Sequence, residues 1–243
     1  MKIDKSTEPQ ESQPTEPQPP EKKKDDYELK FDRTFWTFVA PFAVFMGFIA
    51  AAQMIGGDSK YWLYPLQTMV CAGVLVYFWK SYEWGRVTFG LPIVAGLVVF
   101  GLWIAPQWVL GFEPRVEGFN PYEASEDSFI VIFTIVARCM RLMIVVPLVE
   151  EIFWRGFLQR WLVKENFSEV SVGAFTWLSF LGTAVAFTLV HGFVDWPAAF
   201  AAGLVFGGVV LKTKSVFAAV LAHGVANVAL GIYILATSQW GFW

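Results

Sequence analysis

The chain has 243 residues, 56% of them hydrophobic and 18% aromatic, with only 16% charged. Ordinary soluble domains carry roughly 25% charged residues, so this composition argues against a water-soluble globular protein and for one that lives in a bilayer. A formal net charge of −3 gives no reason to expect nucleic acid as a partner, and the two cysteines, Cys71 and Cys139, make neither a metal spacing nor a disulfide framework.

Residues 1–34 are a different material from the rest. They repeat TEPQ and run into PPEKKKDD with almost nothing apolar to bury, so they are expected to form a disordered polar tail. Lys22, Lys23 and Lys24 suggest a lipid-touching arm, but Asp25 and Asp26 dilute that charge and a solvated leader is the simpler reading. No apolar core follows an early basic segment, so the first span is expected to act as an uncleaved anchor.

From residue 35 the hydropathy predicts about seven spans, at 35–55, 61–79, 89–110, 139–163, 174–193, 197–211 and 216–237. The sixth is shorter than the roughly 20 residues of a full crossing. Between the third and fourth, residues 111–128 carry Glu113, Glu117, Glu123, Glu126 and Asp127 and read as an outer loop, with 129–138 at the interface. The expected fold class is all-α, a polytopic transmembrane helix bundle. Its divisions are the tail at 1–34, amino-terminal helices and outer loop at 35–128, and a catalytic helix bundle at 129–243.

Lysines and arginines gather in the tail and in loops on its side, through Lys80, Arg86, Arg160, Lys164, Lys212 and Lys214, against only Lys60 and Arg115 opposite. That bias predicts an integral protein of the plasma (inner) membrane with a cytoplasmic amino terminus. Arg138 and Arg141, at the outer end of the fourth span, count against it.

Residues 146–162, VPLVEEIFWRGFLQRWL, organise everything else. A charge at mid-bilayer costs about 2.5–3.5 kcal/mol, so these charges need partners, a wet cavity or a chemical task. On a helix Glu151 and Arg155 share a face and can pair, while Glu150 is rotated by about 100° and is left to face something else. Trp154, Trp161 and Trp177 read as packing residues, and Gly203 with Gly207 as a close helix contact. Both histidines of the chain, His191 and His223, fall in predicted spans, with Asn227 one turn after His223. Intramembrane ionisable groups face the bundle interior and one another, so Glu150, His191, His223 and Asn227 are expected to share a cavity. Two chemistries stay open. A carboxylate beside a histidine can deprotonate a water, with His223 and Asn227 donating to the oxyanion that forms. Alternatively Glu150, His191 and His223 can hold zinc, with a water in its fourth position. Neither G-x-S-x-G nor H-E-x-x-H occurs, so serine-hydrolase and zincin readings lack support.

Taken together, E-E-x-x-x-R at 150–155, F-x-x-x-H at 187–191 and H-x-x-x-N at 223–227 resemble the motifs of the CPBP family. These are the CAAX-protease and bacteriocin-processing membrane proteases, type II CAAX prenyl endopeptidase-like or Abi proteins. The layout and acidic loop also resemble the CAAX protease-related proteins found beside bacterial exosortase systems. The family resemblance covers the carboxyl-terminal half from Cys139. It implies a membrane-embedded endopeptidase in which Glu150 and His191 activate water, His223 and Asn227 form the oxyanion hole, and Glu151 and Arg155 support them. It implies the bilayer and a membrane-associated peptide or protein as partners, and no cofactor, with zinc as the alternative. The competing expectation is a non-enzymatic membrane immunity or partner-binding protein that keeps the fold. A proton-coupled transporter using Glu150 and His191 as a relay would need an inverted repeat and paired broken helices, which the sequence does not display.

Overall fold

A computed structural model describes residues 32–243, so nearly all of the expected tail at 1–34 lies outside the described residues. Among the described residues every regular element is helical. The bundle is built from α1 (Arg33–Ile55), α2 (Ser59–Phe78), α3 (Gly90–Leu110), α4 (Ser128–Trp161), α5 (Trp177–Leu189), α6 (Trp196–Thr213) and α7 (Val216–Thr237). Side-chain caps begin several of them: Asp32 for α1, Asp127 for α4, Thr176 for α5 and Ser215 for α7 each accept from a backbone N–H of the first turn. Gly56 and Gly111, at φ 69° and 70°, close α1 and α3.

Among the described residues six helices are long and apolar enough to cross a membrane, and α5 is a shorter apolar helix of 13 residues. At about 1.5 Å per residue α5 spans roughly 20 Å, against about 30 Å of hydrocarbon. A reciprocal cap between Thr176 and Ser179 starts it late, and it ends before His191, inside the expected 174–193 span. In α4 the deviation runs the other way. It is a single helical run of 34 residues that absorbs 129–138, so that stretch is no separate interfacial segment. Two widened π-turns, Arg141–Val145 and Ile152–Leu158, bracket the six-residue α-helical piece Val146–Glu151 that carries the carboxylate pair.

Small residues let the helices approach. A Cβ on Gly96 of α3 would lie 2.4 Å from the Ala222 carbonyl of α7, and one on Gly203 of α6 would lie 3.0 Å from Ala184 Cα of α5. Gly203 thus has the close-packing role expected of it. Aromatic rings join α1 to α4, with Phe42 stacked on Phe153 at 4.1 Å and Phe38 against Gly156.

Three arginines expected at span ends are instead buried. Arg138 lies over Tyr64 and Phe119. Arg141 donates from Nε to Gln67 Oε1 at 2.6 Å, and Gln67 Nε2 donates to the Phe45 carbonyl at 2.7 Å, so one glutamine joins α1, α2 and α4. Arg160 donates to the Val170 and Gly156 carbonyls at 2.7 and 3.2 Å and ties the end of α4 to the loop after it. Guanidinium is planar and weakly hydrated, so aromatic faces and carbonyls suit it, and Arg160 also lies 3.8 Å from the Glu83 carboxylate.

Candidate active site

α3 to α7, with the turn after α5, enclose a cavity of about 260 Å³. Its polar lining is Glu150, His191, Asp195, His223 and Asn227, set among Trp103, Phe187, Phe206, Phe242 and Trp243. The structure therefore brings together the four residues singled out from sequence, although they come from three separate parts of the chain.

The two adjacent glutamates part company as the helix geometry requires. Glu151 is fully buried and does not line the cavity. Arg155 Nη1 lies 3.0 Å from both of its oxygens and donates to Oε1, and His223 Nδ1 lies 2.9 Å from that same oxygen. Arg155 is itself held by the Gly203 carbonyl, to which Nη2 donates at 3.0 Å, and by the faces of Phe187 and Phe206. Glu150 lines the cavity; its Oε2 is sealed from solvent and, like Oε2 of Glu151, has no hydrogen-bond partner.

His191 sits on a bend just past α5. Its Nδ1 lies 2.7 Å from the Phe187 carbonyl, an acceptor only, so Nδ1 carries the hydrogen and Nε2 of the neutral ring is the free acceptor. Trp196 Nε1–H donates to the His191 carbonyl at 3.1 Å, and the Trp103 ring stands edge-on to the imidazole at 5.7 Å. His223 is stacked on Phe206, with centroids 5.0 Å apart, and with Nδ1 engaged by Glu151 it also keeps Nε2 free.

Asn227 is fixed by a defect in α4. In the first π-turn Val146 N–H donates to the Arg141 carbonyl, five residues back. The next bond in that register would run from residue 147 to the Leu142 carbonyl, but Pro147 has no N–H. Asn227 Nδ2 donates to that orphaned carbonyl at 2.8 Å. One amide N–H is thereby used, and the second remains for a ligand.

Sequence reasoning missed Asp195, Arg115, Trp103 and the carboxyl-terminal residues. Arg115 Nη1 pairs with Asp195 Oδ1 at 2.6 Å, and Gly241, Phe242 and Trp243 form part of the cavity wall. The only local signal was an acid four residues after His191. Nothing near it in sequence points to Arg115.

Among the described residues no group of three His, Cys, Asp or Glu side chains converges to hold a metal ion, and no step below passes through a metal.

Comparison with known families gives one finding: the family model described as Type II CAAX prenyl endopeptidase Rce1-like matches residues 131–229. No curated protein and no solved structure matches the chain.

Proposed function

We propose, from the match of residues 131–229 to the family model described as Type II CAAX prenyl endopeptidase Rce1-like, that this integral membrane protein is an endopeptidase whose cavity hydrolyses a peptide bond by direct attack of water. One observation carries the reading: Glu150 lines the same cavity as two histidines whose Nδ1 atoms are engaged elsewhere, leaving Nε2 free on each.

In the proposed step a water bridges Glu150 and His191 Nε2. Glu150 takes one of its protons as the water oxygen bonds to the carbonyl carbon of the substrate. General base catalysis of this kind is worth about 10²–10⁴ in rate. The carbonyl oxygen becomes an oxyanion and accepts from the second N–H of Asn227 and from His223. His223 donates when both its nitrogens are protonated, and Glu151 then balances its charge. The intermediate collapses by breaking the C–N bond, and the proton held by Glu150 passes to the leaving amine. Glu151 and Arg155 touch no substrate and act by fixing His223.

The bilayer and a membrane-associated peptide or protein are the partners of this reading. A cytoplasmic amino terminus in a plasma (inner) membrane belongs to it as well, supported by the loop charge bias. Arg138 and Arg141, which weighed against that orientation, are buried side chains rather than loop charges.

The test uses purified protein in vesicles with a lipid-tethered peptide library in ¹⁸O-labelled water. Wild type is expected to leave one ¹⁸O in each new carboxyl group, and His191→Ala to leave the peptides uncut. Full cleavage by His191→Ala, or a trapped acyl-enzyme, refutes water attack. Processing in cells that survives the variant favours the non-enzymatic partner-binding role.

A further inference from the structure

A second space adjoins the catalytic cavity. It is an open groove between residues 114–117 of the acidic loop and residues 192–195 of the turn after His191. Asp195 and Gly241 line both the groove and the cavity, whereas Arg115 lines the groove. The ion pair of Arg115 and Asp195 therefore stands where the two spaces meet. Its side chains are 20% and 23% exposed, so water reaches the pair.

The two halves of the pair are mounted differently. Arg115 is fastened on three sides: its N–H donates to Gln239 Oε1 at 3.1 Å, its carbonyl accepts from Gly241 N–H at 2.9 Å, and its guanidinium lies 4.5 Å from the centre of the Phe242 ring. Gly241 is indispensable to this wall, because a Cβ there would lie 2.6 Å from the Glu117 carbonyl. Asp195 ends a three-residue 3₁₀ turn, Phe193–Asp195, which follows His191 almost directly. The Asp195 N–H donates to the Gly192 carbonyl at 2.8 Å, so the turn itself is closed and the pair would open through its side chains.

A groove on the apolar flank, between α3, α4 and α7, is lined by residues such as Leu97, Ile144 and Val228 and shares no lining residue with the cavity. The polar groove is thus the one continuous with Glu150. Its charged side chains and loop backbone suit an extended peptide, which has unpaired N–H and C=O groups to offer, better than a helix that satisfies its own.

We propose that the ion pair of Arg115 and Asp195 is a gate on the catalytic cavity. Through it the scissile segment reaches Glu150 as an extended, water-exposed peptide rather than as a membrane-embedded helix. The choice of substrate rests on the proteolytic reading, but the gate itself is tested without it.

Ala226 is buried and lines the cavity, so Ala226→Cys reports on access to a small water-soluble methanethiosulfonate. Labelling is followed in the full-length protein in vesicles, with the native Cys71 and Cys139 background subtracted from the parent. Arg115→Gln and Asp195→Asn are each expected to speed labelling about two- to fivefold, as for the loss of a partly exposed ion pair. The exchanged pair Arg115→Asp with Asp195→Arg is expected to return it to the parental rate. Unchanged labelling in both single variants overturns the gate. So does a rise that the exchange fails to reverse, which marks general loosening. Neither outcome touches the proteolytic reading, which the His191→Ala cleavage assay decides separately.

Discussion

Replacing Arg155 by methionine removes a buried cation and leaves its acid behind. Arg155 is 1% exposed and Glu151 0%, so no solvent stands ready to take over. The guanidinium gives up its bonds to Glu151 and to the Gly203 carbonyl, along with contacts 5.3 and 5.7 Å from the Phe187 and Phe206 ring centres. Removing one partner of a buried ion pair costs about 3–5 kcal/mol, because an uncompensated charge remains in low dielectric. At about 2–4 °C per kcal/mol for a chain of this size, the thermal midpoint should fall by roughly 6–20 °C. Tryptophan fluorescence during heating in detergent reads this directly. The informative control is Glu151→Leu combined with Arg155→Met. It removes both charges and should cost less than Arg155→Met alone, since an apolar replacement of a whole buried pair is often neutral. A single variant within about 2 °C of wild type, or a double variant less stable than the single, would refute the argument that Arg155 neutralises Glu151.

Other substitutions probe other links. Asn227→Leu keeps the branched outline but strands the Leu142 carbonyl and removes an oxyanion donor, so it should cost about 1–3 kcal/mol and lower kcat about 10²–10³-fold; unaltered kcat would remove Asn227 from the mechanism. Gly203→Ala drives a methyl against Ala184 and should destabilise by about 1–3 kcal/mol, whereas an unchanged midpoint would mean that α5 and α6 separate freely. Gln67→Leu leaves Arg141 Nε and the Phe45 carbonyl unpaired and should cost about 1.5–3 kcal/mol while sparing cleavage; lost cleavage at full stability would contradict a purely structural Gln67. Burial pushes the Tyr82 phenol above its ordinary value. The stability tied to its proton is therefore complete below about pH 10 and declines as the pH climbs towards the folded value. Tyr82→Phe should flatten that alkaline limb, and an identical pH profile in both proteins would contradict the shift.

How much of this was visible in the chain depended on distance along it. The separation of Glu150 from Glu151 follows from the helical rotation of about 100° between neighbouring residues, and the structure has that geometry, with Glu151 paired and Glu150 lining the cavity. The helices themselves follow from apolar runs. The length of α5 did not, because hydropathy carries straight through Thr176 and His191 while the caps and the bend override it. Burial of Arg138 depends on Tyr64 and Phe119, which reach it from α2 and the acidic loop. The bond from Asn227 to Leu142 needs a proline five residues beyond the acceptor and a helix that arrives 85 positions later. Arg115 and Asp195 are 80 positions apart, and neither sits in a pattern that names the other. Local periodicity carried the elements and the carboxylate pair, and tertiary contact supplied the rest.

Cleavage and thermal midpoint of Glu150→Gln and Glu151→Gln, measured side by side in the same vesicles, test the assignment of Glu150 as the base most directly. Glutamine keeps the volume of each side chain, but it removes the charge and exchanges one acceptor oxygen for an NH₂ donor. Glu150→Gln should lose about 10²–10⁴ in cleavage rate with its midpoint unchanged, while Glu151→Gln should lower the midpoint by stranding Arg155. Wild-type cleavage by Glu150→Gln would contradict the mechanism, however stable the protein proved.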